Sequence, residues 1–251
     1  MFTLLIDICF IYHTVALGVE ALECGTIRLT WELIIVFQFA VIECKAPTIS
    51  EDQAVEQMIR NQGKDYIPQL FKYAQIVVAT NKNAVKYATC GTGKNFWSVW
   101  REEQTEWQDK LIEQHVAGRE PTIQDRGIVS LLSPDRLLKL TKYFTLYDGN
   151  IKKICRYQQF FAVEEIIKTI NTNDTAGNRQ SGVIWHTQGS GKSYSMVMLA
   201  RKIKHKCTGN FTFLIVTDRE DLDTQIYKNF LRTEFITDKD KVQPVEYIKV
   251  L

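Results

Sequence analysis

A chain of 251 residues is long enough for one large or two small domains. Its composition, 45% hydrophobic, 24% charged and 11% aromatic, is that of an ordinary globular protein and excludes collagen-like, disordered and disulfide-framework classes. Thirty-one Lys and Arg against 29 Asp and Glu leave a net charge of +2, which names no nucleic-acid partner by itself. Residues 1–41 hold Asp7, Glu20, Glu23 and Glu32 against Arg28 alone, so the rest of the chain carries the basic excess and allows a phosphate-rich partner. The cysteines Cys9, Cys24, Cys44, Cys90, Cys155 and Cys207 are too scattered for a zinc half-site and fit free thiols in a reducing cytoplasm.

The opening MFTLLIDICFIYHTVALGV is apolar, but it lacks a basic start and contains Asp7 and His13. It falls short of the ~18 to 20 clean residues of a membrane span, so no membrane role is expected. The run ELIIVFQFAVIECK, 32–45, is too β-branched and aromatic for an amphipathic helix and predicts one or two buried strands. Ser50 with Gln53 forms a capping-box pattern that opens a helix to about Arg60. Strands are expected at 74–81 and 84–90, joined by a turn at Asn81, Lys82 and Asn83. The Trp-rich stretch from Gly91 to Glu120 has no clear period, and its tryptophans fit packing better than base stacking. Ser133-Pro134-Asp135 starts a short helix, and the apolar stripe from Phe160 to Ile170 marks another. After the polar loop 171–180 come an expected strand GVIWHT, a glycine loop, a helix from Lys192, an expected strand FTFLIVT and a helix from Arg219 to Leu231. This alternation is an α/β signature.

The glycine loop carries the strongest chemistry. His186-Thr187-Gln188-Gly189-Ser190-Gly191-Lys192-Ser193 fits a P-loop except at its first position, where His186 replaces the usual small residue. Gly189 and Gly191 let backbone N–H groups turn inward around a phosphate, with Ser190 between them, and the following helix aims its positive end at the same anion. Lys192 should reach the β- and γ-phosphates of ATP, and the Ser193 hydroxyl should coordinate Mg²⁺. A weaker signal is Glu43-Cys44-Lys45 at a strand end, since chance supplies about two acid-x-lysine triplets in such a composition. Alternation nevertheless puts Glu43 and Lys45 on one face, where a carboxylate could hold Mg²⁺ and an ammonium could orient water for phosphodiester hydrolysis. The plainer reading is an exposed Glu and Lys at a strand end.

VIECKAP, QMIRNQGKDYIPQLFKY, NFWSVW, RYQQFFAV, GVIWHTQGSGKS and LIVTDREDLDTQ occur in that order between residue 39 and about 231. Together they resemble the restriction (motor) subunit of type I restriction-modification enzymes. The resemblance implies an α/β architecture, a partial PD-(D/E)xK nuclease fold followed by the first part of a RecA-like P-loop domain of a superfamily 2 motor. It implies ATP and Mg²⁺ as cofactors, and double-stranded DNA with modification and specificity subunits as partners, in the cytoplasm. Glu43 and Lys45 then correspond to the nuclease acid and lysine, and Gln57 to the glutamine of the QxxxY element. Arg156 and Gln159 belong to the adenine-reading Q-motif region, Lys192 and Ser193 to motif I, Asp218 and Arg219 to motif Ia. The expected organisation is an atypical segment 1–38, a nuclease-like domain 39–120, a helical connector 121–171 and a P-loop domain 172–251.

The departures from the family pattern are specific. Leu29 stands where the family places the first nuclease aspartate, and Glu32 or Asp7 could substitute only by geometry. Asn61 replaces the QxxxY tyrosine, and no counterpart of motif II precedes Leu251. The expected function is therefore a fragment of an ATP-dependent type I site-specific deoxyribonuclease, with a non-catalytic remnant binding nucleotide or subunits as the alternative. A stand-alone P-loop kinase or NTPase would require a Walker B acid within this chain. Residues 1–38 are expected to complete the nuclease core poorly.

Overall fold

The structure, a computed structural model, describes residues 2–7, 38–116, 118–207, 209 and 212–236. Leu29 and Glu32 lie outside the described residues. The chain divides into two compact units, one comprising 1–145 and 152–160, the other 146–151 and 161–251.

The first unit is built on a five-stranded sheet in sequence order, β1 (Phe2–Asp7), β2 (Gln38–Cys44), β3 (Ile76–Asn81), β4 (Ala84–Ala88) and β5 (Ser98–Val99). β2 and β3 run parallel, with Glu43 opposite Ala79, and the other pairs are antiparallel. The parallel pair requires a crossover, which α1 (Glu51–Asn61) supplies. α1 opens at Ser50 as expected, but the cap is a bond from the Asp52 N–H to Ser50 Oγ at 3.2 Å rather than the expected box with Gln53, and Glu51 and Asp52 complement the positive end. β3 is buried along its whole length, as a strand flanked on both sides and covered on both faces must be. On one face Val41, Val77 and Ala79 pack against Ala54, Val55 and Met58 of α1. On the other lies α3 (Ile123–Leu132), whose Gly127 comes so close to β4 that an added Cβ would sit 2.7 Å from Val85 Cγ2.

α2 (Glu106–His115), α3 and the β6 (Thr145–Asp148) and β7 (Ile151–Ile154) hairpin fall where no element is expected from apolar period. Local signals mark them nonetheless: capping boxes Thr105–Gln108 and Thr122–Asp125, and a Gly149-Asn150 turn with Gly149 at φ 60°. α4 (Pro134–Tyr143) begins at the expected proline. Packing accounts for Trp100: it is 7% exposed and meets Tyr87 and Phe160 edge to face, with centroids 5.7 and 5.4 Å away. Arg136 lies over the rings of Trp100 and Phe160 and forks onto Glu102 at 2.9 and 2.8 Å. Trp97 packs against the α1-side core, while Trp107 is largely exposed.

Of the second unit, α6 (Lys192–Lys206) and α7 (Glu220–Arg232) pack together, burying Val197, Met198, Ala200, Ile226 and Phe230. α5 (Tyr157–Ile170) follows the expected stripe, and its Glu164 pairs with the buried Lys202 of α6. The two strands expected here are not formed. Residues 182–187 and 212–217 join no ladder, and Val183 and Trp185 are each 91% exposed. Their apolar composition suits a parallel sheet buried on both faces, which needs further strands alongside, and no flanking strand exists among the described residues of this unit. None of the described helices is long and apolar enough to cross a membrane.

Candidate functional site

Three of the predicted site residues converge at the C-terminal end of β2. Glu43 is fully buried on the α1-covered face of the sheet, so it is not the exposed strand-end acid of the plainer reading. Two residues on, Lys45 returns to the same face and places Nζ 3.2 Å from Glu43 Oε1. The same ammonium donates to Gln57 Oε1 from the middle of α1. α1 is held over this point by its Ser50 cap and by Met58, Ala54 and Val55 in the core. Lys45 keeps 17% of its side chain exposed above a carboxylate with 1%, so the ammonium forms the accessible lip of the cluster.

Gln57 is 7% exposed, and its Nε2 is buried without a hydrogen-bond acceptor. Such an orphaned donor costs about 1–3 kcal/mol, and a ligand oxygen placed there would recover it. Cys44 points the other way, toward α3, where its Sγ accepts from Gln124 Nε2 at 3.8 Å. Burial, and secondly the Glu43 charge, push that thiol's pKa up, so it is no nucleophile.

Among the described residues the cluster shows no second carboxylate to hold a Mg²⁺ of the two-carboxylate kind. No group of three or more metal-binding side chains comes together among the described residues. Asp7 pairs with Gln38 while Glu43 pairs with Thr3, placing Asp7 five strand positions away, about 16 Å along the ladder. The unpartnered atom, moreover, is a donor and not a cation ligand.

The glycine loop lies in the second unit. Gly189 and Gly191 take φ of 76° and 83°, the left-handed conformation only glycine adopts freely, and α6 starts at Lys192 immediately beyond. Lys192 Nζ donates to the carbonyls of His186 and Thr187, each at 3.0 Å, closing the loop on itself. His186 Nδ1 and Ser190 Oγ are buried atoms without partners. Loop amides, the helix start and these two polar atoms suit a phosphate group. Ser193, in the first turn of α6, is half-buried beside it.

Arg156 and Gln159 fall in the first unit, at the start of α5. Gln159 is 5% exposed, and its Oε1 accepts the Arg156 N–H at 2.8 Å, the return half of a capping box. That bond gives the glutamine a local structural task beside any base-reading one. Arg219 pairs with Asp221 at 3.1 Å at the head of α7. Residue-by-residue reading missed Asp148, Tyr194 and Arg232, which meet in the second unit although Asp148 and Tyr194 are 46 residues apart. No sequence spacing announces a contact of that range.

A model described as the N terminus of the type I restriction enzyme R protein matches residues 37–96, and one described as SWI2/SNF2 ATPase matches 158–249. The putative type I restriction enzyme MjaIXP endonuclease subunit of Methanocaldococcus jannaschii is 30% identical over 76% of this chain and 20% of its own length. The HindI endonuclease subunit of Haemophilus influenzae is 31% identical over 66% of this chain and 16% of its own. A type I restriction enzyme endonuclease subunit of Staphylococcus saprophyticus is 27% identical over 75% and 19%. The chain thus spans about a fifth of the length of the curated relatives it matches.

Proposed function

We propose, from the premise that this chain belongs with the restriction endonuclease subunits of type I restriction enzymes, that it supplies the nuclease core and the nucleotide loop of such a subunit. The first unit is then a PD-(D/E)xK-type fold acting on double-stranded DNA, and the second the start of a RecA-like ATP-dependent motor. Modification and specificity subunits are its partners. The observation that carries the reading is the convergence of Glu43, Lys45 and Gln57 at one strand end. In this reading Glu43 fixes the Lys45 ammonium, and Lys45 with Gln57 Nε2 presents donors to a backbone phosphate.

A second reading, a module that binds without cutting, is favoured by Glu43 being the one carboxylate brought to that cluster among the described residues. Supercoiled, unmodified DNA incubated with Mg²⁺ or Mn²⁺ and ATP separates the two, using the chain alone and with modification and specificity subunits. Nicking that disappears in Glu43→Gln establishes the nuclease. DNA binding without nicking in either setting establishes the second reading. Nucleotide binding is tested beside it: MgATP affinity should vanish in Lys192→Ala.

A further inference from the structure

The second unit contains a side-chain bridge around a buried carboxylate that none of the recognised motifs includes. Asp148 ends β6 and is 4% exposed. Its Oδ2 accepts the Tyr194 hydroxyl at 2.5 Å, and its Oδ1 lies 2.8 Å from Arg232 Nε. The amide of Gly149 donates to the Arg232 carbonyl at 3.1 Å, so backbone and side chain of the hairpin turn both hold the last turn of α7. Tyr194 is the third residue of α6, directly after Lys192 and Ser193. One carboxylate therefore ties the first turn of the glycine-loop helix to the far end of the next helix.

We propose that Asp148 is a positioning residue for nucleotide, anchoring the first turn of α6 through Tyr194 while the glycine loop opens around a triphosphate. The inference rests on the reading of that loop as a nucleotide site. In the present conformation Lys192 is spent on the His186 and Thr187 carbonyls. A phosphate must draw it off, and the amides at the helix start bind well only if that turn stays fixed while the loop moves. A charge-assisted hydrogen bond to a buried carboxylate is a stiff anchor. Arg232, 60% exposed, compensates the Asp148 charge without being buried itself.

The test uses the whole chain with Tyr194→Phe, which removes one hydroxyl, alongside Asp148→Asn and Lys192→Ala. MgATP and MgADP affinities are measured by calorimetry, with amide exchange at residues 192–195 in nucleotide-free protein and the thermal midpoint. Tyr194→Phe should weaken both nucleotides roughly five- to tenfold, the scale of one ordinary net hydrogen bond, with faster exchange confined to 192–195 and a little-changed midpoint. A merely structural bond would instead lower the midpoint and speed exchange throughout α6 and α7, leaving the affinity of the folded fraction unchanged. That result, or unchanged affinity and exchange, overturns the proposal. If the unaltered chain binds no nucleotide, the loop reading fails, and exchange at 192–195 alone decides whether the anchor exists. Should Asp148→Asn not fold, Tyr194→Phe still gives the answer.

Discussion

The two units contain apolar segments of nearly the same character with opposite outcomes. QFAVIEC and IVVATN become a buried parallel pair, whereas GVIWHT and the segment 212–217 form no ladder and leave Leu214 and Val216 each 66% exposed. The difference is in the neighbours. In the first unit β1 and β4 flank the pair, α1 covers one face and α3 approaches the other. A strand is thus a tertiary object: composition makes it possible, and only adjacent strands with covered faces make it favourable.

The largest effect expected from this contrast is in hydrogen exchange. Amides at 40–44 and 76–80 should exchange more slowly than those at 183–187 and 212–216 by at least about a thousandfold, since the former open only with the unit and the latter have no ladder to open. Comparable protection in both sets would mean that the second unit pairs its strands after all. Next is the close approach of α3 to β4. Gly127→Ala places a methyl 2.7 Å from Val85 Cγ2 and 2.9 Å from its Cβ, and should cost about 1–3 kcal/mol in denaturant unfolding. No loss would show that the second face of the sheet is loosely covered.

A smaller change, about 1 kcal/mol, is expected for Ser50→Ala, which removes the cap of the helix that carries Gln57. The same denaturation curves read it, and a null result would separate the orientation of α1 from its capping. The smallest effect is a pH dependence at α3. Burial alone would raise the pKa of Asp125, but hydrogen bonds from Arg119 and Thr122 outweigh it and hold the carboxyl at about 2, below the ordinary 3.8. A depressed carboxyl stabilises the folded state fully above its unfolded pKa, so this contribution is present above about pH 4 and fades as pH falls toward 2. Asp125→Asn should flatten that part of an acid-unfolding profile, and an unchanged profile would remove Asp125 from the balance.

What the sequence determined by itself is local. Alternation put Glu43 and Lys45 on one face, Ser50 and Pro134 started helices where they stand, and Gly189 and Gly191 marked a tight glycine turn, in which both take positive φ. The resemblance added Gln57, whose meeting with Lys45 no spacing argument reaches because strand and helix are joined by a turn of unknown angle. α2 and α3 were legible in their capping boxes, yet α2 is mostly exposed and carries no strong apolar stripe to attract notice. Tertiary structure alone decided that Glu43 is fully buried, that Asp7 lies far along the ladder from it, and that Asp148 joins Tyr194 to Arg232. The physical reason is common to all three. Periodicity and capping are set by bonds between near neighbours in the chain, whereas burial and long-range pairing depend on which surfaces the finished fold brings together.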